Sequence, residues 1–216
     1  MEVELHPPSY SLSAQKKRYR FTHRGTGPSF DFTPESPEHA GYTFDVGSHN
    51  HGTKRTSYLY QDPRHILASA TRRGNSCNYK IYLGNAIDDF DDEMAWDEMR
   101  TDCPNTIWSM TSAYDGQTKA YFMWKRTTNI AVDGIKKPSR LSRRNWILVD
   151  HNDQREVLAV YTENLGFSTS GTLQINVDWG NDFECFLLLS LGCMYPKSGM
   201  PTSNAISKGG AYTAQG

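Results

Sequence analysis

The chain has 216 residues, a formal net charge of −1 and a pI near 6.6. That length suits one large β domain, and no linker that would separate two smaller ones is visible. A balance so close to neutral lacks the basic excess of a nucleic-acid binder, so nucleic acid is excluded as the expected partner and any anion binding must come from a local patch.

Hydrophobic residues make up 37% of the chain and charged residues 22%, a mixture that supports a packed core. Aromatic residues reach 12%, and aromatics suit the pleated, half-buried surface of a strand. The cysteines are Cys77, Cys103, Cys185 and Cys193, and their spacings match no zinc or redox pattern. Met1-Glu2-Val3-Glu4 is not a basic stretch leading into an apolar one, so no secretory signal is expected. The expected setting is reduced and intracellular, either cytoplasmic or peripheral to a membrane.

In chain order, residues 1–15 form a polar, flexible lead-in, residues 16–196 the folded domain, and residues 197–216 a flexible tail rich in Gly, Ser, Thr and Ala. Tyr19–His23 is a first strand. The stretch from Gly25 to Glu38 contains Gly25, Gly27, Pro28, Pro34 and Pro37 and reads as a loop interrupted by Phe30 and Phe32. Short apolar or aromatic runs then recur between turn formers at Tyr42–Val46, Thr56–Tyr60, Ile66–Thr71 and Asn78–Leu83. They continue at Thr106–Ser112, Ala120–Trp124, Trp146–Asp150, Val157–Thr162 and Thr172–Val177. Asp115-Gly116 and Asp133-Gly134 are the sharpest turn signals. Ala120–Trp124 is apolar throughout, as in a strand buried on both faces. Thr172–Val177 alternates, as in a strand with one wet face. No βαβ spacing appears, so the sheet is expected to be antiparallel.

Two segments break this rhythm. Asp88 to Thr101 is acidic, with only a partial helical stripe in Phe90, Met94 and Trp96, and reads as a solvated excursion or a short helix. The second break, residues 179–195, predicts a helix. Asp178 or Asn181 is placed to cap it, Asn181 and Glu184 have capping-box spacing, and Pro196 stops it. From Cys185 to Cys193 no residue is charged and apolar side chains point in every direction, so such a helix must be buried all round. The apolar stretch is well short of the roughly 17–20 residues that span a bilayer, which excludes a transmembrane helix. A single buried strand over Phe186–Leu191 is the alternative. A β-rich chain with one helix greasy on every side implies a sheet closed around it, since closure also removes exposed strand edges.

Antiparallel strands, the late strand Gly171-Thr172-Leu173-Gln174-Ile175 and a terminal hydrophobic helix resemble the tubby C-terminal-like superfamily, which includes the LURP-one-related proteins and phospholipid scramblases. Trp108-Ser109-Met110, Tyr121-Phe122-Met123-Trp124-Lys125 and Val157-Leu158-Ala159-Val160-Tyr161 resemble segments of uncharacterised fungal members. The likeness runs over roughly Tyr42 to Tyr195. It implies a mainly β fold, a closed antiparallel barrel of about twelve strands around a central hydrophobic C-terminal helix. The family's functional residues transfer poorly. The acidic calcium segment of scramblases is represented here only by Asp178, Asp182 and Glu184, no cluster of cysteines for palmitoylation is present, and no basic pair aligns with the phosphoinositide grip of tubby proteins.

Lys136, Lys137, Arg140, Arg143 and Arg144 form a basic run expected at one rim of the barrel, where attraction to anionic phospholipid headgroups is weighed against a solvated or phosphorylated loop. Lys16, Lys17, Arg18 and Arg20 are a smaller cluster that could extend it. His49 and His51 can share one strand face, but spacing marks no third ligand, so a polar loop is expected there rather than a metal site. The Asp88–Glu93 run lacks the alternating ligands and central Gly of a calcium loop. No nucleophile elbow, protease cysteine or phosphate-binding glycine loop occurs. The sequence therefore points to a binding module without catalysis or cofactor, engaging anionic phospholipid or a protein partner at a membrane surface. A small-molecule carrier and an enzyme with an unrecognised site are the alternatives.

Overall fold

The computed structural model describes residues 12–25, 28–47, 54–62, 65–73, 76, 78–84, 97–102, 105–111, 119–136, 144–164 and 171–195. Twelve strands precede one helix: β1 (Leu12–Arg24), β2 (Ser29–Pro34), β3 (Tyr42–Val46), β4 (Lys54–Asp62), β5 (His65–Arg73), β6 (Asn78–Leu83), β7 (Asp97–Asp102), β8 (Asn105–Thr111), β9 (Lys119–Arg126), β10 (Trp146–Asp150), β11 (Val157–Glu163), β12 (Gly171–Val177) and α1 (Gly180–Met194). Each strand pairs antiparallel with its neighbour in sequence, and β1 pairs with β12, so the sheet is a closed barrel.

Two strands lie where the sequence reads differently. β2 falls in the Gly/Pro-rich stretch expected to be a loop, because Phe30 and Phe32 are two apart and both reach the core, while its prolines lie before the strand and at its last residue. β7 falls at the end of the acidic excursion, where Asp97 and Met99 share the buried face and Glu98 and Arg100 are exposed. Residues 85–96, which carry the Asp88–Glu93 run, and the Asp115-Gly116 turn are outside the described residues. β1 is also longer than the expected Tyr19–His23.

Helix α1 occupies the lumen. Every residue from Phe183 to Tyr195 is buried. The helix packs closest to β4, β5, β6 and β8, where the side chains Ala68 and Ala70 of β5 let the backbones approach. On the other side Phe21, Phe30, Trp146 and Tyr161 fill the wider gap, and all four rings meet Tyr195 at the helix end. Phe183 packs on Trp108, Phe122 and Trp179 at the opposite end. The helix's buried hydroxyl, Ser190, is satisfied twice: it accepts from Trp124 Nε1 at 2.9 Å and donates to the Leu187 carbonyl at 2.8 Å.

The helix start departs from the predicted caps. Trp179 is the N-cap residue and makes no side-chain capping bond. Gly180, at φ +83°, turns the chain into the helix, with its N–H on the Asp178 carboxylate at 3.4 Å. Glu184 is not part of a capping box, because its carboxylate is engaged elsewhere.

The outer wall carries Arg20, Lys80, Glu98, Arg100 and Lys125, the reverse of a membrane-spanning barrel, whose lipid-facing positions are apolar. No helix among the described residues is long and apolar enough to cross a membrane. The predicted wet face of β12 is covered: the segment from Thr127 to Lys136 folds over it, Val132 donates its N–H to Thr162 Oγ1 at 3.0 Å, and Gln174 is only 2% exposed. On β9, Phe122, Met123 and Trp124 are buried but Tyr121 is exposed, so burial on both faces is partial.

A Cβ added at Gly192 would meet the Phe44 ring at 2.5–2.7 Å, and Phe44 is fully buried. Gly192→Ala gains about 1 kcal/mol of helix propensity but forces an overpacked core costing roughly 1–3 kcal/mol. A lower urea midpoint is expected for the variant, restored in part by adding Phe44→Leu. An unchanged midpoint would mean the ring gives way.

Candidate functional site

The two mouths of the barrel differ in chemistry. At the amino mouth, where the helix begins, β1 turns Lys17 and Tyr19 inward on alternate positions to meet Glu184 on the first turns of the helix. The Glu184 side chain is 5% exposed. Lys17 Nζ donates to Glu184 Oε2 at 2.8 Å and Tyr19 donates a short hydrogen bond to Oε1, with Tyr42 also hydrogen-bonded to the carboxylate. Asp178 stands 3.8 Å from the same ammonium. An unpaired carboxylate at this depth would be costly, and three donors make it tolerable.

The network sets the ionisation of its members. Burial works to lower the Lys17 ammonium, but the hydrogen bond and charge of Glu184 outweigh it and hold the amine protonated above its ordinary range. Tyr19 and Tyr42 are pushed up by burial and by the Glu184 charge. Burial, with Glu184 and Asp182 nearby, pushes the Cys185 thiol up to about 12. Neither the amine nor the thiol is poised as a nucleophile at neutral pH.

Beside this network a cleft of about 240 Å³ opens between β1, the Glu38–Tyr42 segment, β4, β5 and the helix. Tyr19, Glu184 and Cys185 form its buried floor, and the exposed Glu38, Gln61 and Asn181 stand at its entrance.

At the carboxyl mouth the chemistry is cationic. Arg55 and Arg72 are direct cross-strand partners on β4 and β5, and Lys54 and Arg73 pair next to them in register. Like charges opposite one another destabilise a ladder, so the pairing itself carries a cost to folding. Arg72 lies over the Tyr79 ring at 5.8 Å. Arg24 and Arg126 end β1 and β9 at the same mouth, with Glu163 and Asp102 as the acids on strand ends there. The amino mouth carries Glu38, Asp62, Asp150, Asp153, Glu156, Asp178, Asp182 and Glu184 against Lys17, Lys119 and Arg155. Among the described residues the charge is therefore divided into an acidic end and a basic end, each opposite in sign to the helix terminus it surrounds.

The residues singled out in the sequence are distributed unevenly over this frame. Arg144 lies at the carboxyl mouth, with its guanidinium 4.5 Å above the Tyr195 ring, a 2.9 Å hydrogen bond to the Tyr195 hydroxyl and Glu163 at 3.7 Å. It clamps the helix end. Lys136 is exposed just past the Asp133-Gly134 turn, in the segment that folds over the outer wall. Lys137, Arg140 and Arg143 lie outside the described residues, as do His49, His51, Cys77 and Cys103. In the second cluster Lys16 reaches Asp133 at 2.6 Å, Arg18 lies 4.0 Å from Glu35, and Lys17 faces the lumen, so the cluster does not act as one patch. Cys185 and Cys193 are buried, and no group of three His, Cys, Asp or Glu among the described residues is arranged for a metal.

The Glu184 network and the Arg55–Arg72 pair were not singled out from the sequence. A signal existed for each: an acid inside an otherwise apolar helix, and basic dipeptides at the far ends of two consecutive strands. Neither becomes a site until register is known. No protein-family model and no curated protein matches the chain.

The alkaline limb of stability tests the network. Lys17, Tyr19 and Tyr42 all have folded pKa values raised above their unfolded ones. Their contribution is fully present below about pH 10 and is lost as pH rises towards the folded values. Urea unfolding should show stability falling above that pH. Glu184→Gln should flatten the fall in part, leaving a residual slope from the burial of Tyr19, Tyr42, Tyr161 and Cys185. Glu184→Ala should cost about 3 kcal/mol at pH 7. An unaltered alkaline slope in Glu184→Gln would refute the assignment.

Proposed function

We propose that this chain is a non-catalytic binding module of tubby-like and scramblase-like kind, and that its carboxyl mouth docks on surfaces of anionic phospholipid headgroups. The observation that carries the reading is the segregation of charge along the barrel axis. Cations within a Debye length of an anionic surface each contribute about 1 kcal/mol, and a dipolar molecule approaches with its basic end foremost. Arg24, Arg55, Arg72 and Arg126 supply that end, and the basic run Lys136, Lys137, Arg140 and Arg143 precedes Arg144 in sequence. The cross-strand Arg55–Arg72 pair is costly in isolation and is relieved by a bound anion.

The order of elements, with strands first and a lumenal helix last, is that of the family the sequence resembles. A lumen filled by its own helix speaks against a carrier, which needs an empty interior. The protonated Lys17 amine and Cys185 thiol speak against nucleophilic catalysis. A protein partner with an acidic surface is the competing occupant of the basic mouth.

Vesicle co-sedimentation distinguishes them. The chain should pellet with vesicles of phosphatidylcholine mixed with phosphatidylserine, weakly with phosphatidylcholine alone, and less as salt rises. Arg55→Gln with Arg72→Gln should weaken binding by about 2 kcal/mol, roughly thirtyfold, while Asp62→Lys should not weaken it. Equal pelleting with both vesicle types, or an unaffected double variant, would remove the lipid reading.

A further inference from the structure

We infer that the cleft at the amino mouth is a binding site for an uncharged, polyhydroxylated ligand the size of one sugar ring. Its buried charged groups are matched to one another, and the remaining one, Glu38, stands exposed to water at the entrance. Glu184 holds Lys17, Tyr19 and Tyr42 on three of its roughly four acceptor positions. Lys17 lies between Glu184 and Asp178. At the floor of the cleft a charged ligand group would therefore displace a partner rather than find a vacancy.

What the cleft offers instead is neutral and two-sided. The side-chain amides of Gln61 and Asn181 face it and make no hydrogen bond among the described residues, and each can both donate and accept. The His39 ring nitrogens also line it, and the Tyr42 hydroxyl, whose proton goes to Glu184, can still accept. A hydroxyl group is the ligand function that both donates and accepts, and several hydroxyls on one ring would use several such residues together. Ala40 and Leu67 supply an apolar strip on the wall beside the half-buried Tyr42 ring, against which the C–H face of a sugar ring can lie. The volume of about 240 Å³ admits one such ring and excludes a chain of them from the interior.

This site stands at the mouth opposite the basic one, so it is independent of the lipid reading. The test is a titration of the full ¹⁵N-labelled chain followed by amide NMR. D-glucose, D-mannose and D-galactose at millimolar concentrations are compared with tetramethylammonium and inorganic phosphate. At least one sugar should give saturable shifts centred on residues 38–42, 61 and 181–185. Gln61→Ala with Asn181→Ala, both at exposed positions, should weaken that binding at least tenfold with an unchanged urea midpoint. The proposal is overturned if no sugar saturates, if tetramethylammonium or phosphate saturates the same amides instead, or if the double variant binds sugar as the wild type does.

Discussion

Between Phe183 and Tyr195 the helix has no side that water reaches, and the wall built around it answers that constraint position by position. A helix of this kind cannot lie on a sheet, because one face would remain wet; it requires closure. Closure in turn demands that the space between helix and wall be filled at every azimuth. The barrel does so unevenly. Against β5 the filling is Ala68 and Ala70, and the helix comes close. Against β1, β2, β10 and β11 it is Phe21, Phe30, Trp146 and Tyr161. Gly192 marks the place where even a methyl group is too much, since Phe44 already fills it.

Much of this architecture was legible in the residues alone. The helix was readable because Cys185–Cys193 has no polar side, and most strands because short apolar runs recur between turn formers. β2 was hidden by its prolines and glycines, which are tolerated because they sit at the strand's margins rather than within its ladder. β7 was hidden by Asp97 and Glu98: a buried acid breaks the apolar alternation that identifies a strand, and only the barrel supplies Lys119 at 3.8 Å to accompany it. The covered face of β12 shows the converse error. Thr172, Gln174 and Asn176 look like a solvated row, yet Asp133 of the 127–136 segment takes up Gln174 and the Val157 carbonyl of β11 accepts from Asn176. Such distant partners leave no trace in local periodicity.

The charged groups were less readable than the fold because their meaning is relational. Glu184 looks like a helix cap until β1 is seen to bring Lys17 and Tyr19 to it across more than 160 residues of chain. Arg144 looks like one cation in a basic run, whereas most of its surroundings are the ring and hydroxyl of Tyr195. Net charge concealed the main electrostatic feature altogether, since a sum near zero does not distinguish mixed charges from separated ones. The separation also complements the helix, whose positive end lies among acids and whose negative end lies among arginines.

The seam that closes the barrel joins the first strand to the twelfth, and the helix that fills it comes after both. During synthesis, therefore, a dozen strands with inward-facing aromatic rings leave the ribosome before the segment that covers those rings exists. Neighbouring hairpins can pair as they appear, but the seam and the core must await the last part of the domain, and contacts so remote in sequence form slowly. Until the helix is in place those rings have no cover, and exposed apolar surface of that kind is what makes partly folded β proteins prone to aggregate.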